Sequence, residues 1–349
     1  MKSHRTAVAL VESPAQLLNV IEWAHARRPA SIGTGMSIMI LPPPEPAGRV
    51  QLDRMTELAS QVGFGVSWHE IRGGHGARLR ALRSIRAEIA GTRTVVLGDP
   101  FSGVLQLVIN FAGGRSLVLV DDGSATIEFV KIVNDGGELA RWHRSNSGGG
   151  VNRRLAARAR RRLVPAEGSG RAALQVFTSM PVQSRRLDIQ PNRLAWTRQS
   201  FPAPRLLPGA DLVGSSLVES SVVDEDHYLQ AVARLATAHG VRRYLAHRRE
   251  SVQKLAKIND LGLTVVRPDL PLELFARIGP ISERVISFPS TVTHTLPLAL
   301  QDTAVEVLVC DIDRRWLSPA HRSGRSGGFL TSVTDSARRT HGLAAVAAS

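Results

Sequence analysis

Thr6-Ala7-Val8-Ala9-Leu10-Val11 is an unbroken apolar run closed by Glu12-Ser13-Pro14, and Ala15 to Ala24 then place Leu17, Leu18, Val20, Ile21 and Trp23 at helical spacing. A short apolar run without alternation is a strand buried on both faces, which is the pattern of a parallel sheet covered by helices. The unit therefore reads strand, turn, helix, and the rest of the first half repeats it. Ser37 to Leu41 is a strand candidate ended by Pro42-Pro43-Pro44, and Gln51 to Val62 follows as an amphipathic helix. Gly65 to Trp68 reads as extended, Arg78 to Ile89 as helix, Thr94 to Leu97 as strand, Gly103 to Ala112 as helix and Ser116 to Val120 as strand. Such alternation predicts an α/β fold with a parallel sheet.

The rhythm stops between Ser145 and Gly170, where SNSGGG, VNRRLAARARRRL and PAEGSG follow one another. A partly helical, solvated insertion or linker is expected here. Its arginines, from Arg153 to Arg162, also suit an anionic membrane surface or an anionic glycan. Beyond it, Asp226 to His239 reads as a helix with Tyr228, Leu229, Val232, Leu235 and Ala236 on its apolar face, and Arg243 to Ala246 as a strand. Leu263 to Val266, Leu272 to Arg277 and Arg284 to Phe288 continue as strand, helix and strand. The second half is thus α/β as well. The expected architecture is two Rossmann-like domains facing each other across a cleft: residues 1–205, then 206–330, with 331–349 as a tail.

The 349 residues exceed what one core usually supports, in keeping with two domains. One cysteine, Cys310, excludes a disulfide within the chain and a thiolate-rich metal site. The apolar stretch near the start is interrupted by Glu12, Pro14 and Gln16, and no run of about eighteen uncharged apolar residues occurs elsewhere, so the expected setting is cytoplasmic. With 44 Lys and Arg against 30 Asp and Glu, the net charge of +14 favours acidic partners. A basic nucleic-acid-binding protein is the alternative this raises. Aromatic residues make up only 5% of the chain and no binding module is recognisable, which argues against it.

Three polar clusters each follow an apolar strand, where parallel sheets bind ligands. Asp121-Asp122-Gly123 ends Leu117 to Val120. Adjacent carboxylates at a strand end can give one of them the raised proton affinity of a general base, although Asp-Gly is also ordinary turn chemistry. His247-Arg248-Arg249-Glu250 ends the strand around Tyr244, where histidine and arginine could hold a phosphate and Glu250 could orient a base or hold a ribose. Ser290-Thr291 follows Val285 to Phe288 and opens a helix, a place for an anion or a simple cap. Gly33-Thr34-Gly35 lacks the rest of a dinucleotide fingerprint, and no histidine pair of metal-ligand spacing occurs.

In their order, these clusters resemble the bacterial sialyltransferases and polysialyltransferases, whose marks are an acidic-acidic-Gly turn, a His-Pro motif and a Ser-Ser or Ser-Thr pair. The matching positions are Asp121-Asp122-Gly123, His247 and Ser290-Thr291, and the opening Val11 to Asn19 is similar to the group's first strand and helix. His247 is followed by Arg248 where the family has proline. The resemblance spans roughly Val8 to Val309 through short, widely spaced motifs. It implies a GT-B fold with the acceptor on the N-terminal domain and the donor on the C-terminal one, and an inverting reaction without a metal or other cofactor. The implied donor is CMP-activated sialic acid or a related nonulosonic acid. The implied acceptor is a cell-surface or capsular glycan or a glycolipid. Asp121 or Asp122 would take the acceptor's proton, His247 would assist the departing CMP phosphate, and Ser290 and Thr291 would bind it. Gly123, Arg248, Glu250, Ser13, Gln16 and Gly214 complete the expected substrate-binding set. A GT-B transferase using another nucleotide sugar is the nearest alternative.

Overall fold

The computed structural model describes residues 6–28, 30, 32–72, 74–137, 139, 150–164, 174–322 and 325–348. The chain divides into two compact units, Met1–Asn192 and Arg193–Ser349. The break falls before the boundary expected at residue 205, because Ala195–Ser200 packs with helices of the second unit.

In the first unit the strands are β1 (Ala7–Val11), β2 (Met36–Ile40), β3 (Gly65–Trp68), β4 (Thr94–Leu97), β5 (Ser116–Val120), β6 (Gln175–Thr178) and β7 (Asp188–Pro191). They form one sheet in the order β3-β2-β1-β4-β5-β6-β7, with every pairing parallel. All residues of β1 and β2 are buried, the outcome their unbroken apolar runs require. Helices α1 (Pro14–Arg27) and α2 (Pro46–Gln61) pack together. Helices α3 (His75–Ala90), α4 (Gly103–Phe111), α5 (Ser124–Asp135) and α6 (Gly150–Leu163) share a core in which Ile85, Ile89, Val108, Ile109, Phe129 and Leu163 meet β1, β4 and β5.

Helix α6 departs from the solvated linker expected at 145–170, of which only 150–164 are described. Ala159 and Leu163 are fully buried, so the arginine-rich segment is a packed helix lying against α4. Two apolar residues one turn apart suffice to seat it, and a composition in which half of the residues are polar, six of them arginine, hid that stripe.

In the second unit α7 (Ala195–Ser200) precedes the strands β8 (Leu206–Val213), β9 (Val241–Leu245), β10 (Thr264–Val266), β11 (Ile281–Ser287), β12 (Glu306–Cys310) and β13 (Ala344–Val346). Their order is β10-β9-β8-β11-β12-β13, again all parallel. The helices are α8 (Glu225–His239), α9 (Val252–Asp260), α10 (Leu272–Ile278), α11 (Val292–Leu300), α12 (Pro319–Arg322) and α13 (Arg325–His341). The expected tail at 331–349 is therefore most of α13 and the edge strand β13. Val333 and Ala337 bury its inner side, and β13 extends the sheet beyond β12.

Each sheet reverses direction of build once, between β1 and β4 in the first unit and between β8 and β11 in the second. The crevice outside the strand ends at such a switch is where open parallel sheets take ligands. Among the described residues no helix is long and apolar enough to cross a membrane.

Candidate functional site

In the first unit Asp121-Asp122-Gly123 joins β5 to α5, one strand from the switch. Gly123 sits at φ +66° and ψ −122°, a conformation that a residue with a Cβ adopts only under strain, and it caps α5. Asp121 is 2% exposed. Its Oδ1 accepts the Gly123 N–H at 3.0 Å and its Oδ2 accepts the Ser179 N–H at 3.1 Å, so the side chain ties the turn to the end of β6. Asn19 Nδ2 donates to the Asp121 carbonyl at 2.9 Å and Asn192 Nδ2 donates to Asn19 Oδ1 at 2.8 Å, completing a buried polar chain beneath the turn. Burial raises the proton affinity of Asp121, against the pull of hydroxyl and backbone donors from Thr126, Ser179, Gly123 and Thr178.

Asp122 is half-buried at the same turn. Its N–H donates to Thr126 Oγ1 at 3.0 Å, and Ser13 Oγ donates to its Oδ1 at 3.4 Å. Ser13 also accepts the Gln16 N–H at 3.2 Å as the N-cap of α1, which brings the expected Ser13 and Asp122 together. Gln16, also in the expected substrate-binding set, is held inside the unit. It is 2% exposed, its Oε1 accepts the Glu12 N–H at 2.7 Å, and a Cβ at Gly98 would come within 2.1 Å of its side chain. Gln16 thus holds the turn after β1 and packs its side chain against Gly98 at the end of β4.

At that same switch Glu12 is buried and receives Arg72 at 2.5 Å. Its proton affinity is raised by burial and by the nearby Asp99, against Ser102 and Arg72. Sequence reading passed over Glu12, Asn19, Ser179 and Arg72, because their partners lie in distant segments.

In the second unit His247 follows β9, Gly214 follows β8 and Ser290-Thr291 follows β11, three neighbouring strand ends around the switch. His247 is partly exposed. The Arg249 backbone N–H donates to His247 Nδ1 at 3.2 Å, which makes Nδ1 an acceptor and leaves Nε2–H as the donor of the neutral ring. Burial lowers the His247 pKa to about 3, helped by the charges of Arg248, Arg249 and Lys254. Arg248 is half-buried, and Arg249 reaches Ser216 Oγ at 3.1 Å.

Glu250 corrects the expected ribose contact. It is 4% exposed, and both oxygens are engaged inside the unit. Oε1 accepts the Tyr244 hydroxyl at 2.6 Å and lies 2.7 Å from Lys254 Nζ, while Oε2 accepts the His247 N–H at 2.5 Å. Lys254, fully buried, also donates to the Ser215 carbonyl at 2.9 Å and Glu219 Oε2 at 3.2 Å. The two hydroxyls of Tyr228 and Tyr244 lie 2.8 Å apart and extend the network. Glu250 is therefore a clamp on the His247 turn. A Cβ at Gly214 would stand 2.2 Å from Glu250 Oε2 and 2.8 Å from Tyr244, so this glycine exists to admit the clamp. The spacing of Glu250 and Lys254, four residues apart, was the available signal for the ion pair.

Ser290 and Thr291 are half-buried at the start of α11. Ser290 Oγ is 3.4 Å from Ser287 Oγ, and its carbonyl accepts Thr293 Oγ1 at 2.6 Å. Thr291 is the N-cap residue in a helical conformation and its side chain makes no capping bond. Its hydroxyl and the first N–H groups of α11 are suited to an anion.

No family model and no curated protein matches the chain. Among solved structures, an α/β-galactoside α-2,3-sialyltransferase from Photobacterium phosphoreum is similar over 98% of each chain, with 10% identity and a TM-score of 0.53. A protein assigned as a UDP-N-acetylglucosamine 2-epimerase from Listeria monocytogenes is similar over 97% of this chain and 91% of its own, with 11% identity and a TM-score of 0.53. The shared feature is the fold: two Rossmann-like units of the GT-B type.

Proposed function

We propose that the chain is an inverting glycosyltransferase that moves sialic acid or a related nonulosonic acid from its CMP form to a glycan or glycolipid hydroxyl. The observation that carries this reading is the division of labour between the two strand-end sites. One offers a carboxylate with raised proton affinity, and the other offers neutral and cationic donors for a phosphate. The acceptor hydroxyl loses its proton to Asp121 as its oxygen bonds to the anomeric carbon, and the bond to the CMP phosphate breaks with its electron pair going to the phosphate oxygen. His247 Nε2–H, the Thr291 hydroxyl and the α11 N–H groups stabilise that charge, and Arg248 adds a cation beside it. Asp122, more exposed and beside Ser13, orients the acceptor. The likeness to the Photobacterium sialyltransferase supports this reading.

The likeness to the Listeria protein favours a second reading, in which a UDP sugar is the substrate. Thermal shift with CMP, UDP and GDP separates them. Selective stabilisation by CMP is the expected result, and selective stabilisation by UDP would overturn the donor assignment.

A further inference from the structure

The helical layer formed by α3, α4 and α6 on the first unit has a consistent charge pattern on its outward side. Helix α4 packs against both α3 and α6, and all three share one core, so their exposed residues form one surface. On α3 the exposed positions include Arg78, Arg80, Arg83 and Arg86. On α6 they include Arg154, Arg158 and Arg161. Across the three helices the acidic residues reduce to Glu88, and among the described residues none of these seven arginines forms an ion pair. Between the charges stand large apolar side chains: Leu79 on α3 is 55% exposed and Phe111 at the end of α4 is 36% exposed.

We infer that this face docks on an anionic phospholipid surface. Arginines on two helices of one layer can meet many headgroups at once, and each basic group near such a surface adds to the attraction. Protruding leucine and phenylalanine side chains gain by entering the headgroup boundary, a gain that a nucleic-acid backbone does not offer. The arginine run at 153–162 is thereby one part of a larger surface that includes α3, some seventy residues earlier in the chain. The inference stands apart from the donor assignment, since none of these residues belongs to the strand-end sites.

Co-sedimentation of the full chain with vesicles tests it. Vesicles of phosphatidylcholine with phosphatidylglycerol should bind the protein, and phosphatidylcholine alone should not. Replacing Arg78, Arg80, Arg83 and Arg86 with Gln, or Arg154, Arg158 and Arg161 with Gln, should lower the bound-to-free ratio by at least about tenfold. Replacing Arg193, Arg242 and Arg314 with Gln removes as much charge as the α6 set and should leave binding near that of the unaltered chain. Leu79→Ser with Phe111→Ser should weaken the binding that survives at high salt. All replaced side chains except Phe111, at the limit of exposure, are well exposed, and an unchanged melting temperature confirms the fold of each variant. Failure to bind the anionic vesicles, or equal loss in the Arg193, Arg242 and Arg314 variant, would overturn the proposal. So would retention of an oligonucleotide without the vesicles, which would assign the face to nucleic acid.

Discussion

Asp121 and Glu250 are both buried carboxylates at the carboxyl end of a parallel strand region, and burial raises the proton affinity of both. They differ in what surrounds them. Asp121 is held by neutral donors, the N–H groups of Gly123 and Ser179. Glu250 is held by the ammonium of Lys254 together with the Tyr244 hydroxyl and the His247 N–H. A carboxylate that is to accept a proton gains from neutral surroundings, because a cation beside it would stabilise the charged form and weaken it as a base. A carboxylate that is to hold a turn gains from the cation, which compensates its burial. The pair thus contrasts the carboxylate proposed as the base with one that holds the His247 turn.

The largest test of this contrast is Asp121→Asn, which should lower turnover by about 10²–10⁴-fold while CMP affinity is retained. Asp122→Asn should cost less. If Asp122→Asn proves the more severe in steady-state kinetics, the roles of the two aspartates are exchanged. The same assignment bears on pH: transfer needs the ionised carboxylate, so kcat/KM should fall toward acid through a pKa above the ordinary aspartate value of 3.8. An acid limb at or below that value would remove the argument for Asp121 as base.

On the other side of the comparison, Lys254→Met leaves Glu250 buried without its cation and should cost about 3–5 kcal/mol in denaturant unfolding. Combining it with Glu250→Gln should restore most of that loss. Gly214→Ala intrudes on Glu250 and Tyr244 and should cost about 1–3 kcal/mol, with a rise in KM for the donor as the His247 turn shifts. An innocuous Gly214→Ala would show that the clamp is not tightly set.

The smallest expected effect is a pH slope of stability. His247 and the fully buried His294 have pKa values lowered to about 3 and about 4, both chiefly by burial. Unfolded histidine binds a proton near 6.5 while the folded forms do not, so stability should fall as pH drops from 6.5 toward 4. His294→Gln should reduce that fall by about 2 kcal/mol between pH 7 and pH 5, measured by urea unfolding.

Much of the fold was legible. Strands β4 and β5 lie where their apolar runs placed them, because strand residues buried under helices are written in apolar side chains, and β3 lies where its extended stretch was read, as a mostly exposed edge strand. Strands β6 and β7 were not legible: Asp188-Ile189-Gln190-Pro191 is mostly exposed at the sheet edge and carries no such signal. Helix α13 was read as a tail because Val333 and Ala337 are a thin stripe in a polar segment. Of the site, the aspartates, His247 and Ser290-Thr291 were visible as polar residues directly after strands. The residues that set their properties were not, since Ser179, Asn19 and Tyr228 are joined to them only by folding.

The sequence by itself determined the parallel α/β character of both halves and the strand ends at which polar chemistry gathers, since backbone pairing and burial are written locally in runs and breaks. Only the tertiary structure decided which carboxylate is neutralised and which is not, that Gly214 is the space for Glu250, and that two arginine-bearing helices share one face. Those outcomes depend on distances between segments far apart in the chain, and electrostatic energies are set by distance and burial rather than by residue type.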